Sequence, residues 1–170
     1  MALSPSRPKE RLARTIKVAG KAVPYPEPST SGVSAQMKGN RGVDTSPERR
    51  VRSLLHRQGL RFRKNSVIAV DAVRVRPDIV FRSARVAVFI DGCFWHGCPV
   101  HGRTPQVNRP YWRAKLARNL ERDNRNGALL TRAGWVVLRY WEHEEIEHVA
   151  RSIATRVRVQ QAPEDSGAFE

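Results

Sequence analysis

The chain has 170 residues, enough for one domain with a real hydrophobic core. Its 31 Lys and Arg against 16 Asp and Glu leave a formal net charge of +15, which points to a polyanionic partner, nucleic acid first. No apolar run approaches the roughly 20 residues that cross a bilayer, and "MALSPSRPKERLARTIK" lacks a signal-type apolar stretch, so a cytoplasmic protein without membrane contact is expected.

Residues 1–33 are rich in Pro, Ser, Lys and Arg and show no periodic apolar face; they read as a disordered basic arm. "SPERRVRSLLHRQGL" is a helix, with Ser46 as N-cap, Pro47 in the first turn and Val51, Leu54 and Leu55 as its apolar stripe. "FRKNSVIAVDAVRVRPDIVF" gives strand-like pieces with a turn. "RVAVFID" is an apolar strand buried on both faces. "RPYWRAKLARNLERDNRNGALLTRAG" is a long helix opened by Pro110, with Leu116, Leu120, Leu129 and Leu130 on its apolar face. "WVVLRYW" is a second buried strand, "EEIEHVARSIATRVRV" a final amphipathic helix, and residues 161–170 a disordered tail. The order implies a small mixed sheet with helices on both faces.

Chemistry concentrates in "DGCFWHGCPVHG", residues 91–102, which holds both cysteines of the chain. Cys93-x4-Cys98-x2-His101 offers three zinc-type ligands on one loop, and tetrahedral zinc takes four. His143 lies just beyond "VVLRYW", as the loop lies just beyond "RVAVFID". If those strands are parallel neighbours, His143 and the loop emerge at the same sheet edge. His96 is the competing fourth ligand. With no open coordination position evident, the site reads as structural.

A second pattern surrounds it. Asp78 opens the strand after "RP", and Asp91 closes the next strand. A strand-end carboxylate with an acceptor from the neighbouring strand is a way to hold Mg²⁺ on a scissile phosphate. The usual acidic-x-lysine continuation is absent, since "GCFWH" follows Asp91, and His96 is placed to take over proton transfer or orient the attacking water.

Together "RPD", "DGCFWHGCPVH", the earlier "DTSPE" and the later "NLERDNRN" and "WEHE" resemble the very-short-patch repair (Vsr) endonuclease family, over about residues 34 to 160. Those enzymes nick DNA beside T:G mismatches left by deamination of 5-methylcytosine. The resemblance implies an α/β, restriction-endonuclease-like core of the PD-(D/E)xK type, a small mixed sheet flanked by helices, spanning residues 34–160. It implies that Asp78 is the catalytic Mg²⁺-binding aspartate and that the main-chain carbonyl of Ile90 contributes to metal binding. His96 matches the catalytic histidine. Glu48 and Asp123 match acidic residues that act through metal-bound water or orient that histidine. Cys93, Cys98, His101 and His143 fall on the structural Zn²⁺ site, although the best-known member has a histidine-rich loop and a cysteine at the position of His143. Phe94, Trp95 and Trp112 match aromatics that wedge into the base stack, and Met37 falls in an N-terminal segment reaching the opposite groove.

On spacing alone, plainer readings stand beside these: Glu48 as a helix N-terminal charge, Asp123 as a partner of Arg122 or Arg125, and Phe94, Trp95 and Trp112 as core. The resemblance implies double-stranded DNA with a T:G mismatch as the partner, with downstream repair proteins beyond it. A monomer in the bacterial cytoplasm, at the nucleoid, is expected. The alternatives are a restriction-type or modification-dependent nuclease with another target, and a non-enzymatic zinc-stabilised DNA-binding protein.

Overall fold

The computed structural model describes residues 15–18, 21–24 and 42–162. Two short strands, β1 (Thr15–Val18) and β2 (Lys21–Pro24), form an antiparallel hairpin. The expected unstructured arm over residues 1–33 therefore fails at these eight positions. The hairpin packs on the long helix α2 (Arg109–Arg132), a tertiary contact that a local composition argument does not register. The rest of the arm, Met37 and residues 163–170 of the expected tail lie outside the described residues.

Helix α1 (Ser46–Arg57) starts one residue earlier than its sequence signal. Thr45, not Ser46, is the N-cap. Its hydroxyl and N–H both donate to Glu48 Oε1, at 2.9 and 3.3 Å, so the carboxylate three residues on closes a capping box. Next come β3 (Arg63–Lys64), the hairpin β4 (Ile68–Val70) and β5 (Val73–Val75), then β6 (Ile79–Phe81), β7 (Val86–Asp91), α2, β8 (Val136–Trp141) and α3 (Ile146–Gln161). Gln161 is thus helical, where the sequence reading began a tail.

The main sheet has the order β3-β6-β7-β8, antiparallel at its first two pairings and parallel between β7 and β8. Period-two alternation divides its side chains. Ile79, Phe81, Val86 and Val88 face α1 and α3, where Val51, Leu55, Ile153 and Val157 complete the larger core. Val80 and Ala87 face the other way, onto Leu130 of α2 and Ile68 and Val75 of the β4–β5 hairpin. The result is the expected α/β architecture, a small mixed sheet between helical layers.

Two details differ from the sequence reading. Strand β8 is half-exposed, because it is the edge of the sheet and has a neighbour on one side only. Leu120 is 48% exposed, because α2 turns Tyr111, Asp123 and Leu130 inward instead. The parallel pairing of β7 with β8, Asp91 opposite Trp141, brings the C-terminal ends of both strands to one edge. The loop after β7 and the loop after β8 meet there.

Candidate active site and metal centre

The meeting of those loops assembles Cys93, Cys98, His101 and His143, whose ligand atoms all lie within 4.8 Å of one another. Cys93 Sγ is 3.0 Å from His143 Nδ1 and 3.8 Å from His101 Nδ1, and Cys98 Sγ is 3.8 Å from His143 Nδ1. Bonds of about 2.0–2.3 Å in a tetrahedron separate ligand atoms by roughly 3.3–3.8 Å, so two thiols and two imidazoles at these spacings fit zinc. Both thiols are buried and both histidines lie outward. His96, the rival fourth ligand, is not in the cluster.

Local chemistry makes the loop tight. Trp95 and His96 N–H groups both donate to the Gly92 carbonyl, at 3.0 and 3.2 Å, and Cys98 N–H donates to the Cys93 carbonyl at 3.1 Å. Gly102 lies against Cys98 so closely that a Cβ there would meet the Cys98 carbonyl oxygen at 2.4 Å, which only glycine avoids. Glu142, from the β8 side, accepts from Cys93 N–H at 2.7 Å. The thiols titrate apart. Burial, with the hydrogen bond to Cys98, pushes Cys93 up to about 11. At Cys98 burial also opposes ionisation, but the N–H groups of His101 and Val100 outweigh it and hold the thiol below its ordinary range.

Beside the loop opens a cavity of about 640 Å³ lined by Glu48, Asp78, Ile90, Phe94, Trp95 and His96 among others. Asp78 stands immediately before β6, and its Oδ2 accepts from Ile90 N–H at 2.8 Å. The last β6–β7 pair is Ile79 with Val88, so Ile90 extends past the end of β6. In a strand the N–H and C=O of one residue point to the same neighbour. The Ile90 carbonyl therefore emerges on the Asp78 side, where no β6 residue takes it up.

Burial first, then repulsion from Glu48 and Asp91, pushes the Asp78 carboxyl up to about 7, with Ile90 N–H and Arg52 opposing. The sign of the consequence is fixed by linkage. A carboxyl with a raised folded pKa binds its proton more tightly when folded, so stability is greatest below its ordinary value of 3.8 and declines as pH rises towards 7. Asp78→Asn should therefore stabilise the protein above pH 7 without added Mg²⁺, by on the order of 4 kcal/mol, and leave it little changed near pH 4. Urea denaturation of both proteins at the two pH values checks this.

Glu48 is 2% exposed and fully engaged. Besides Thr45, it accepts from Asp44 N–H at 3.0 Å and from Arg52 Nη1 at 3.2 Å. Arg52 also pairs with Asp44, which Lys64 Nζ approaches at 3.3 Å. Glu48 is thus a helix-capping charge, as its position suggested, and also a wall of the Asp78 cavity.

His96 Nδ1 lies 2.6 Å from Asp123 Oδ2, and Asp123 Oδ1 accepts from Arg122 Nε and Nη2 at 3.1 and 2.9 Å. Burial would raise the Asp123 carboxyl, but the hydrogen bonds of His96 and Arg122 prevail and hold it below its ordinary value. An ionised Asp123 accepts from Nδ1–H and leaves Nε2 as the free acceptor of the ring. Asp123 therefore serves Arg122, as spacing alone suggested, and orients His96 as well.

Asp91, at the end of β7, lines the Asp78 cavity. Arg139 of β8 holds it bidentately, with Nε to Oδ2 at 2.7 Å and Nη2 to Oδ1 at 2.8 Å. Arg139 also donates to the Asp123 carbonyl at 3.3 Å and lies over the Phe89 ring. Sequence reasoning missed Arg139. Its one available signal was a lone charge in "WVVLRYW".

Phe94, Trp95 and Trp112 form one aromatic group, with ring centroids 4.8–6.0 Å apart, half-exposed and not in the core. Lys115 lies over Trp95 and Trp112, at 4.9 and 5.4 Å from their centroids, and burial lowers its pKa. Asn119 clamps the Trp95 carbonyl at 3.1 Å.

The sequence has relatives among known proteins. A family model described as DNA mismatch endonuclease Vsr matches residues 29–101. The chain is 51% identical over 130 residues to the type II nicking enzyme V.NaeI of Lentzea aerocolonigenes, covering 76% of this chain and 78% of that protein. It is 37% identical over 114 residues to the type II nicking enzyme V.NmeDIP of Neisseria meningitidis serogroup C, covering 66% and 74%. It is 39% identical over 101 residues to the DNA mismatch endonuclease Vsr of Escherichia coli (strain K12), covering 58% and 62%. The chain belongs to the Vsr family of DNA mismatch endonucleases and shares its restriction-endonuclease-like fold.

Proposed function

We propose that this DNA-nicking endonuclease cuts one strand beside T:G mismatches of the kind left by deaminated 5-methylcytosine, with Mg²⁺ at Asp78 and Zn²⁺ stiffening the loop that follows β7. The single observation behind it is the shared cavity of Asp78, Ile90, His96, Phe94 and Trp95. One cavity thus joins a carboxylate and a strand-end carbonyl, a carboxylate-oriented imidazole and aromatic rings able to stack on bases.

Asp78 and the Ile90 carbonyl are hard oxygen donors and fit Mg²⁺. The ion supplies Lewis-acid stabilisation of charge on the phosphoryl oxygens. Asp78, neutral up to about pH 7 when alone, holds the ion once ionised. His96 takes a proton from the attacking water at Nε2, while Asp123 holds Nδ1 and stabilises the resulting imidazolium. Glu48, its oxygens taken up by Thr45, Asp44 and Arg52, acts at the cavity wall through its charge. Water adds to phosphorus, one P–O bond of the backbone breaks, and the leaving oxygen collects a proton from solvent.

Phe94, Trp95 and Trp112 wedge into the base step. Unstacking costs a few kcal/mol, so the wedge needs a stiff mount, which the zinc cluster and the Glu142 clamp provide. Purified protein should carry about one zinc per chain by metal analysis. Cys98→Ser should lose it and much of the loop's stability, since structural zinc contributes on the order of 10 kcal/mol.

Covalently closed circles carrying one T:G pair test the function. The proposal expects conversion to open circles with Mg²⁺, while matched circles stay closed. Linear products, or equal attack on matched circles, would favour a restriction-type nuclease.

A further inference from the structure

We propose that the basic face of α1 is a second DNA-backbone contact, which grips phosphates of the duplex outside the cleavage cavity; it builds on the reading of the chain as a DNA-nicking enzyme. Arg49, Ser53, His56 and Arg57 are exposed and recur at helical spacing on one face of α1. With Phe62 and Lys64 opposite, they line an open groove of about 650 Å³ that no carboxylate enters. His56 and Phe62 rings lie 4.4 Å apart and only 36° from parallel, an apolar floor suited to a sugar.

The charges along the groove divide into two kinds. At its inner end, Arg52 is satisfied by Glu48 and Asp44, and Lys64 by Asp44. Arg49 and Arg57 have no ion-pair partner among the described residues. Two unspent guanidiniums in one carboxylate-free groove match phosphate oxygens, which take bidentate donors.

The groove adjoins the cleavage site across the buried Arg52–Glu48 pair, since Arg52 lines the groove and Glu48 lines the Asp78 cavity. From Glu48 to Arg57 the helix rises about 13 Å, a length of about four base-pair steps. Such contacts set register on the duplex and read no sequence.

The test is anisotropy of the full-length, zinc-loaded protein on matched and T:G duplexes, without Mg²⁺, from 50 to 200 mM salt. Arg49→Ala/Arg57→Ala should weaken binding to both duplexes by about 10-fold or more and flatten the slope of log K against log salt by about 2. Arg49→Lys/Arg57→Lys should restore most of the slope. The control Arg74→Ala/Arg132→Ala removes the same charge from β5 and the end of α2, across the sheet from α1. An unchanged slope in the first variant, or an equal loss in the control, would overturn the groove and leave only general surface charge. Because binding is read without cleavage, this outcome is separate from whether the protein nicks T:G DNA.

Discussion

Asp78→Ala should abolish nicking, by more than about 10³-fold, while binding to mismatched DNA is kept or tightened. The first half follows from the several kcal/mol that a Lewis-acidic ion contributes to a phosphoryl transition state. Among the described residues Asp78 has no basic side chain bonded to it and accepts only from the Ile90 N–H, whereas Glu48 and Asp91 in the same cavity are held by Arg52 and Arg139. Removing it therefore removes the ion's main anchor. The second half follows from charge. A carboxylate close to a phosphate is repulsive unless a cation lies between them. Burial is the main cause of the raised Asp78 pKa, and repulsion from Glu48 and Asp91 adds to it, an effect of the same kind within the protein. Single-turnover cleavage and anisotropy on one T:G duplex measure both halves.

The second large effect concerns His96. His96→Ala should slow nicking by about 10²–10⁴-fold, the range for loss of a positioned proton-transfer group, with zinc content unchanged. The geometry separates the two roles, because His96 bonds Asp123 while the cluster able to hold a metal consists of Cys93, Cys98, His101 and His143. Asp123→Asn should give a smaller loss in the same direction, since His96 would keep a hydrogen bond but lose the charge that stabilises its protonated form. If His96→Ala shed zinc and His101→Ala did not, catalyst and ligand would be exchanged.

Much of this site was legible because its residues cluster in the chain or lie at strand ends. The apolar runs of β7 and β8 marked two strands, and their parallel pairing, a condition in the sequence reading, delivers His143 to the Cys93 loop. What escaped was set by pairing at a distance. Arg139 meets Asp91 across 48 positions through the β7–β8 register, and no local pattern encodes which carboxylate a strand arginine will reach. The role of Asp91 stayed open for that reason. Its partner lies on a strand whose side chains could not be assigned to faces before the sheet was known. The β1–β2 hairpin escaped because its partner surface is α2, nearly a hundred residues further on. Leu120 was read as core because α2's leucines recur at helical intervals, yet the helix buries Asp123 towards His96 and leaves Leu120 outside. In each case tertiary placement overrode local pattern.

The most direct measurement is single-turnover cleavage of two end-labelled duplexes, identical except for a T:G or a T:A pair, with Mg²⁺ and zinc-loaded protein. A nick in the T-bearing strand of the T:G duplex, at a rate at least about 10²-fold above the T:A duplex and lost with Asp78→Ala, is the predicted result. Equal cleavage of the two duplexes, or undiminished nicking by Asp78→Ala, would contradict it.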